Sequence, residues 1–63
     1  DHDNELSFHD IVLIRAICYY ALADFANSLI EVQILVPDFD CDIETEEGRA
    51  ALAAKIEELR EEV

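Results

Sequence analysis

Apolar residues recur at helical spacing over residues 7–36 and predict one long α-helix. Ser7 followed by Asp10 fits a capping box at its start. Pro37 cannot continue a helix and marks its end. No glycine or proline interrupts the segment. The β-branched content of residues 32–36 would also suit a short strand, but the prediction keeps this stretch helical.

This predicted helix is apolar over most of its circumference, which in a soluble protein indicates burial on more than one side. It would span roughly 42 Å, whereas a compact globule of 63 residues is about 27 Å across. A second copy of the chain is the expected cover, so the sequence predicts a homodimer. Residues expected at the core or the dimer contact are Ile11, Ile14, Arg15, Cys18, Leu22, Phe25 and Leu29.

Arg15 is the one charged residue of that set, and a guanidinium within an apolar face is costly unless it is paired. We expect it to reach the edge of the face or to meet a carboxylate from the second helix or from a second copy. An anion-binding arginine in a central pocket is the functional alternative.

A second candidate surface lies on the opposite, more polar side of the same helix. Leu13, Ile17 and Tyr20 interrupt this side, near Asp24. If exposed, they would form an apolar strip bordered by acids, and tyrosine is enriched at binding hot spots. The alternative is that a second helix or a second copy buries them.

The connector at residues 37–45 alternates acidic and apolar residues. In an extended segment, this alternation directs the carboxylates to one side and the apolar side chains to the other. Such a row of carboxylates could imitate a phosphodiester backbone to a DNA-binding protein, while a solvated acidic loop is the alternative. The acidic set is Asp38, Asp40 and Asp42, and the apolar set is Phe39, Cys41 and Ile43.

A shorter second helix is predicted over residues 46–62, with Thr45 as its cap. Residues 1–6 are polar and acidic and are expected to fray. The fold class is therefore all-α, a helical hairpin of one long and one shorter helix in a single domain that associates as a homodimer. The apolar seam of the second helix is Leu52, Ile56, Leu59 and Val63.

Sixteen acidic residues face four basic ones, for a formal net charge of −12. This charge argues against direct binding to nucleic acid or to an anionic membrane and favours a protein partner with a basic surface. Solubility alone is the simpler explanation. A membrane span over residues 11–23 is not expected, because the run is too short and Arg15 interrupts it.

The sequence indicates no catalytic site, no cofactor and no metal site. An EF-hand calcium loop at the connector fails, because Ile43 stands where the loop needs glycine and Arg49 where it needs glutamate. His9 is expected to be solvated and Cys18 to be a buried reduced thiol. Two cysteines make no disulfide framework, so a cytoplasmic location is expected.

In size, acidity and surplus apolar helix surface, the chain resembles, as a class, the small acidic proteins that phages encode to disable host factors, including transcription regulators and other DNA-binding proteins. The resemblance implies a non-catalytic protein that binds and inhibits or modulates another protein. It carries no diagnostic motif and assigns no residue. The alternatives are a helical oligomerisation or assembly module of a larger protein and an antitoxin-like adaptor.

Overall fold

The structure, a computed structural model, describes residues 7–61. These residues form three helices, α1 (Phe8–Ala21), α2 (Phe25–Leu35) and α3 (Glu46–Glu61), and no strand. The predicted all-α class is confirmed, and the ambiguous segment before Pro37 is helical as far as Leu35. The predicted frayed terminus at residues 1–6 and the last two residues of the chain lie outside the described range.

The predicted capping box is present at the start of α1. The Asp10 amide donates to Ser7 Oγ at 3.1 Å, and the Ser7 amide donates to Asp10 Oδ2 at 3.4 Å. The prediction of one continuous helix over residues 7–36 is nevertheless wrong. The structure breaks this segment into α1 and α2.

The break is centred on Ala23, whose φ of 62° lies in the left-handed region. The Ala23 amide donates to the Tyr20 carbonyl at 3.0 Å, and the Asp24 amide donates to the Tyr19 carbonyl at 2.8 Å. These two bonds are a Schellman motif, which satisfies the last carbonyls of α1. The Asp24 carboxylate then caps α2 by accepting the Asn27 amide at 3.4 Å.

The break folds α2 back against α1 as an antiparallel pair. Ser28 is fully buried between them, and its hydroxyl donates to the Ala16 carbonyl at 2.9 Å. This bond satisfies a polar side chain that would otherwise be costly to bury. The segment predicted as one long helix is thus itself a pair of helices, which differs from the predicted hairpin of a long and a shorter helix.

The α3 helix packs against this pair and runs antiparallel to α1. Tyr20 OH donates to the Arg49 carbonyl at 3.4 Å near one end, and His9 Nε2 lies 3.2 Å from the Leu59 carbonyl oxygen near the other. His9 is half-buried, so its expected solvation is wrong. The predicted seam of α3 is buried at each described position. The core comprises Val12, Leu13, Ala16, Val32, Leu52, Ile56 and Leu59.

Thr45 caps α3 as predicted, because its Oγ1 accepts the Gly48 amide at 2.9 Å. Gly48 is itself buried against the connector, and a Cβ atom at this position would overlap the Asp42 carbonyl group. The close approach of these two backbones therefore requires glycine. The backbone of the connector therefore lies directly against the first turn of α3.

Candidate interaction surfaces

The apolar residues expected at the core or the dimer contact divide into two groups. Phe25 and Leu29 are half-buried and pack against the core. The members on α1 are exposed, on the side opposite Val12 and Ala16, so their assignment to the core of one chain is wrong. These exposed side chains are Ile11, Ile14, Arg15, Cys18 and Leu22.

The exposed group includes large apolar side chains: Ile14 is 46% exposed and Leu22 76% exposed. Cys18 lies between them and is exposed, contrary to the buried thiol expected from the sequence. On α2, Ile30 and Ile34 are 53% and 44% exposed and are spaced one helical turn apart. Their i, i+4 spacing signals a second apolar stripe, which periodicity over one uninterrupted segment does not separate from the first.

An ion pair joins these two stripes. Arg15 Nε lies 2.9 Å from Glu31 Oε1, and the two side chains are 48% and 14% exposed. Arg15 thus meets a carboxylate of α2, within the segment predicted as its own helix, rather than one from the second predicted helix or a second copy. Arg15 borders Ile11 and Cys18 on α1, and Glu31 borders Ile34 on α2. We call the combined surface the outer face: Ile11, Ile14, Cys18 and Leu22 of α1 with Ile30 and Ile34 of α2.

The strip predicted to bind a partner through Leu13, Ile17, Tyr20 and Asp24 is not a continuous exposed surface. Leu13 is in the core, and Tyr20 is half-buried against it. Asp24 is the cap of α2. For Leu13 the structure shows the alternative, burial by other helices. Ile17 alone remains substantially exposed, at 38%.

Ile17 and Tyr20 instead line a groove between α1 and α3 with a volume of about 250 Å³. Ala21 extends the α1 wall, and Ala53 and Ile56 form the α3 wall. Both walls are apolar. Glu57 and Arg60 also line the groove and pair with each other at 2.9 Å. The sequence placed Ile17 and Tyr20 on one side of the first helix, but it gave no indication that α3 would face them.

The connector adopts the alternation predicted from its sequence. The acidic row, Asp38, Asp40 and Asp42, is exposed. Asp40 Oδ1 accepts the Cys41 amide at 2.9 Å, and Asp42 Oδ1 accepts the Glu44 amide at 3.0 Å. The apolar residues between them are half-buried against the core, as expected: Phe39, Cys41 and Ile43.

Two further contacts hold the connector in place. The Gln33 side-chain amide donates to the Phe39 carbonyl at 3.0 Å, and Lys55 Nζ lies 5.5 Å from the centroid of the Phe39 ring. Burial of Cys41, together with the negative charges of Asp40 and Asp42, raises the pKa of its thiol above 9.0. The acidic row therefore stands on a segment that packs on the core.

The described residues contain no group of three or more histidine, cysteine or acidic side chains placed to hold a metal ion. No helix within residues 7–61 is long and apolar enough to cross a membrane. Comparison of the chain with family models, with curated proteins and with solved structures finds no match.

Proposed function

We propose that this chain is a small non-catalytic interaction protein that acts as a homodimer and binds a partner protein with a basic surface, inhibiting or modulating it. The observation that carries the proposal is the connector. Its apolar residues pack inward, so the acidic row is held outward on an anchored backbone rather than on a free loop. Holding the row in place reduces the entropy lost on binding.

The charges of the rest of the chain support a basic partner. The formal net charge is −12, and the four basic side chains all contact acceptors in their own chain. The field around the protein is therefore acidic and would steer a basic surface toward it. The acceptors are Glu31 for Arg15, the Ile43 carbonyl for Arg49, Glu58 for Lys55 and Glu57 for Arg60.

A DNA-binding regulator is the partner class that fits the acidic row best, because its basic surface already accepts regularly spaced phosphates. A protein that occupied this surface would compete with DNA for it. Inhibition would then need no chemistry on the part of this chain.

The outer face supports the homodimer. It comprises six exposed large or polarisable apolar side chains on two adjacent helices, and exposed apolar surface of this kind is typical of an interaction site. A second copy covers the face with a surface of the same composition, as in a twofold dimer. The same observation favours the second candidate function, an oligomerisation module, in which the acidic row would have no role of its own.

The test compares capture of partners by wild-type protein and by two charge-matched triple variants. One carries Asp38→Asn, Asp40→Asn and Asp42→Asn, and keeps the side-chain acceptors of the connector. The control carries Glu46→Gln, Glu47→Gln and Glu58→Gln on α3, three exposed residues absent from the groove lining, with the same change in net charge.

We expect bacterial DNA-binding proteins to be retained by the wild type and the control and to be lost by the connector variant. A purified captured regulator should also be displaced from its operator DNA by the wild type. Equal retention by both triple variants would contradict a specific role for the acidic row. Self-association without any displacement of DNA would favour the oligomerisation module.

A further inference from the structure

We propose that the groove between α1 and α3 receives an apolar side chain from a basic amphipathic helix of the partner. This inference rests on the proposed function and adds an apolar anchor site to it. The negative charge of the chain would attract the helix, and the groove would supply the apolar anchor that fixes its position.

The size of the groove favours a single side chain over a small molecule. Its volume of about 250 Å³ lies below the roughly 300–1,000 Å³ of sites that enclose drug-sized ligands. Two small residues, Ala21 and Ala53, lie on opposite helices and create the depression. An isoleucine from each helix completes the walls: Ile17 from α1 and the buried Ile56 from α3.

The α1 wall is pre-organised. Tyr20 OH donates to the Arg49 carbonyl at 3.4 Å, and the Tyr20 ring meets the Phe25 ring edge to face at a centroid distance of 5.1 Å. The tyrosine is therefore held by α2 and α3 together. An apolar anchor would find the groove already shaped, which lowers the entropy lost on binding.

The charge at the edge of the groove selects the partner. Glu57 is about half-exposed and pairs with Arg60, one turn away on the surface. Exposed pairs of this kind contribute little stability, so a lysine or arginine of the partner could replace Arg60 as the partner of Glu57. Glu61 is also exposed on α3. An apolar anchor flanked by basic residues is the pattern of a basic amphipathic helix bound in a groove.

The experiment uses three synthetic helical peptides as probes: an amphipathic Leu/Lys peptide, the same peptide with every leucine replaced by alanine, and a Leu/Glu peptide. Binding is measured by calorimetry to the wild type, to Ala53→Phe, which fills the groove, and to Ala54→Phe. Ala54 is exposed on α3 and is absent from the groove lining, so it gives the matched control.

We expect the Leu/Lys peptide to bind the wild type and Ala54→Phe with similar affinity, and to bind Ala53→Phe at least about tenfold more weakly. The Ala/Lys peptide should bind all three proteins equally and weakly, through charge alone. The Leu/Glu peptide should not bind. If circular dichroism shows that Ala53→Phe does not fold, Ala21→Phe fills the groove from the opposite wall and takes its place.

Each contrary result identifies what fails. Equal binding of the Leu/Lys peptide to the groove-filled variant and the control would overturn the groove proposal while leaving the acidic surface intact. Binding of the Leu/Glu peptide would contradict the proposal that the groove selects a basic helix. Failure of both lysine peptides to bind would count against the proposed function itself. A wild-type dimer that becomes monomeric only in Ala53→Phe would assign the groove to a second copy of this chain.

Discussion

Gly48 lies in the first turn of α3, where helix propensity alone would favour alanine by roughly 1 kcal/mol. The structure reverses this expectation, because a Cβ atom would overlap the Asp42 carbonyl group. We predict that Gly48→Ala destabilises the protein by about 1–3 kcal/mol through overpacking. Urea denaturation followed by circular dichroism measures the change. Ala54→Gly provides the ordinary alanine-to-glycine difference at an exposed site, and a stabilised Gly48→Ala variant would show that the two backbones can separate freely.

Cys41 offers a readout of the field of the acidic row. Burial, and then Asp40 and Asp42, raise the pKa of its thiol above the ordinary value of 9.0. In a Cys18→Ser background, the alkylation rate of the folded protein should reach its midpoint at a higher pH than that of the urea-unfolded chain, because the thiolate is the nucleophile. Asp40→Asn should lower this midpoint while its side-chain oxygen still accepts the Cys41 amide.

The same shift fixes the sign of a pH effect on stability. The folded state holds the Cys41 proton to higher pH than the unfolded state does, so the stabilising contribution is complete below the unfolded pKa of 9.0 and is lost as the pH rises above it through the raised pKa of the folded state. Coincident alkylation midpoints in the folded and unfolded chains would contradict the packing of the connector on the core.

At the scale of the elements, the break at Ala23 separates the observed fold from a single long helix. An L-residue in the left-handed region costs roughly 1–2 kcal/mol, and glycine largely avoids this cost. We therefore predict that Ala23→Gly stabilises the protein by about 0.5–1 kcal/mol. Within a continuous helix the same substitution would destabilise by about as much, as Ala54→Gly should. The sign of the change in thermal denaturation thus decides between the two structures.

The helix ends that the sequence predicts correctly are those set by interactions between neighbouring residues. Ser7 with Asp10, Pro37 and Thr45 each act through bonds or constraints among a few neighbouring residues, and the structure has a helix end at each. The break carried a weaker signal. Alanine occupies a position that glycine usually holds. The helical pattern places Asp24 on the polar side of one helix and does not indicate that it caps a second one. Periodicity continues across it because α1 and α2 are both apolar.

The side of α1 that faces the core could not be predicted for a related reason. An apolar arc that covers most of a helix does not specify which part is buried. That choice depends on contacts between helices, such as Ser28 with Ala16 and Tyr20 with Arg49. Leu13, predicted on the candidate surface, is therefore in the core. Ile14, predicted at the core or the dimer contact, is exposed. The groove arises from the same long-range packing.

At the scale of the whole molecule, the two proposed contacts respond to salt in opposite directions. Two copies of a chain with net charge −12 repel each other, so screening should strengthen the homodimer. Binding of a basic partner relies on attraction and should weaken as salt is added. We predict that raising sodium chloride lowers the dimer dissociation constant and raises that of the Leu/Lys peptide. Sedimentation and calorimetry on one preparation measure both, and parallel trends would contradict the opposite electrostatic contributions argued for the two contacts.

The homodimer itself is tested on the outer face. Ile14 is 46% exposed in the middle of the α1 stripe, so aspartate there should leave the fold of one chain intact. In a twofold interface the substitution appears twice and places two unpaired carboxylates in an apolar contact, each costing several kcal/mol. We predict that Ile14→Asp sediments as a helical monomer of 7.2 kDa at concentrations where the wild type is dimeric.

Leu22→Asp tests the same contact at the end of α1. The sequence predicts Leu22 at the core or at the dimer contact, and at 76% exposure only the dimer contact remains. This variant should therefore also fold as a monomer, while Ala54→Asp on the solvent side of α3 should remain dimeric. Cys18 gives an independent readout, since a covered outer face would protect its thiol from alkylation as protein concentration rises. If the wild type is monomeric and its alkylation rate does not depend on concentration, the homodimer proposal is wrong. The acidic row and the groove would then be the surfaces through which one chain could act.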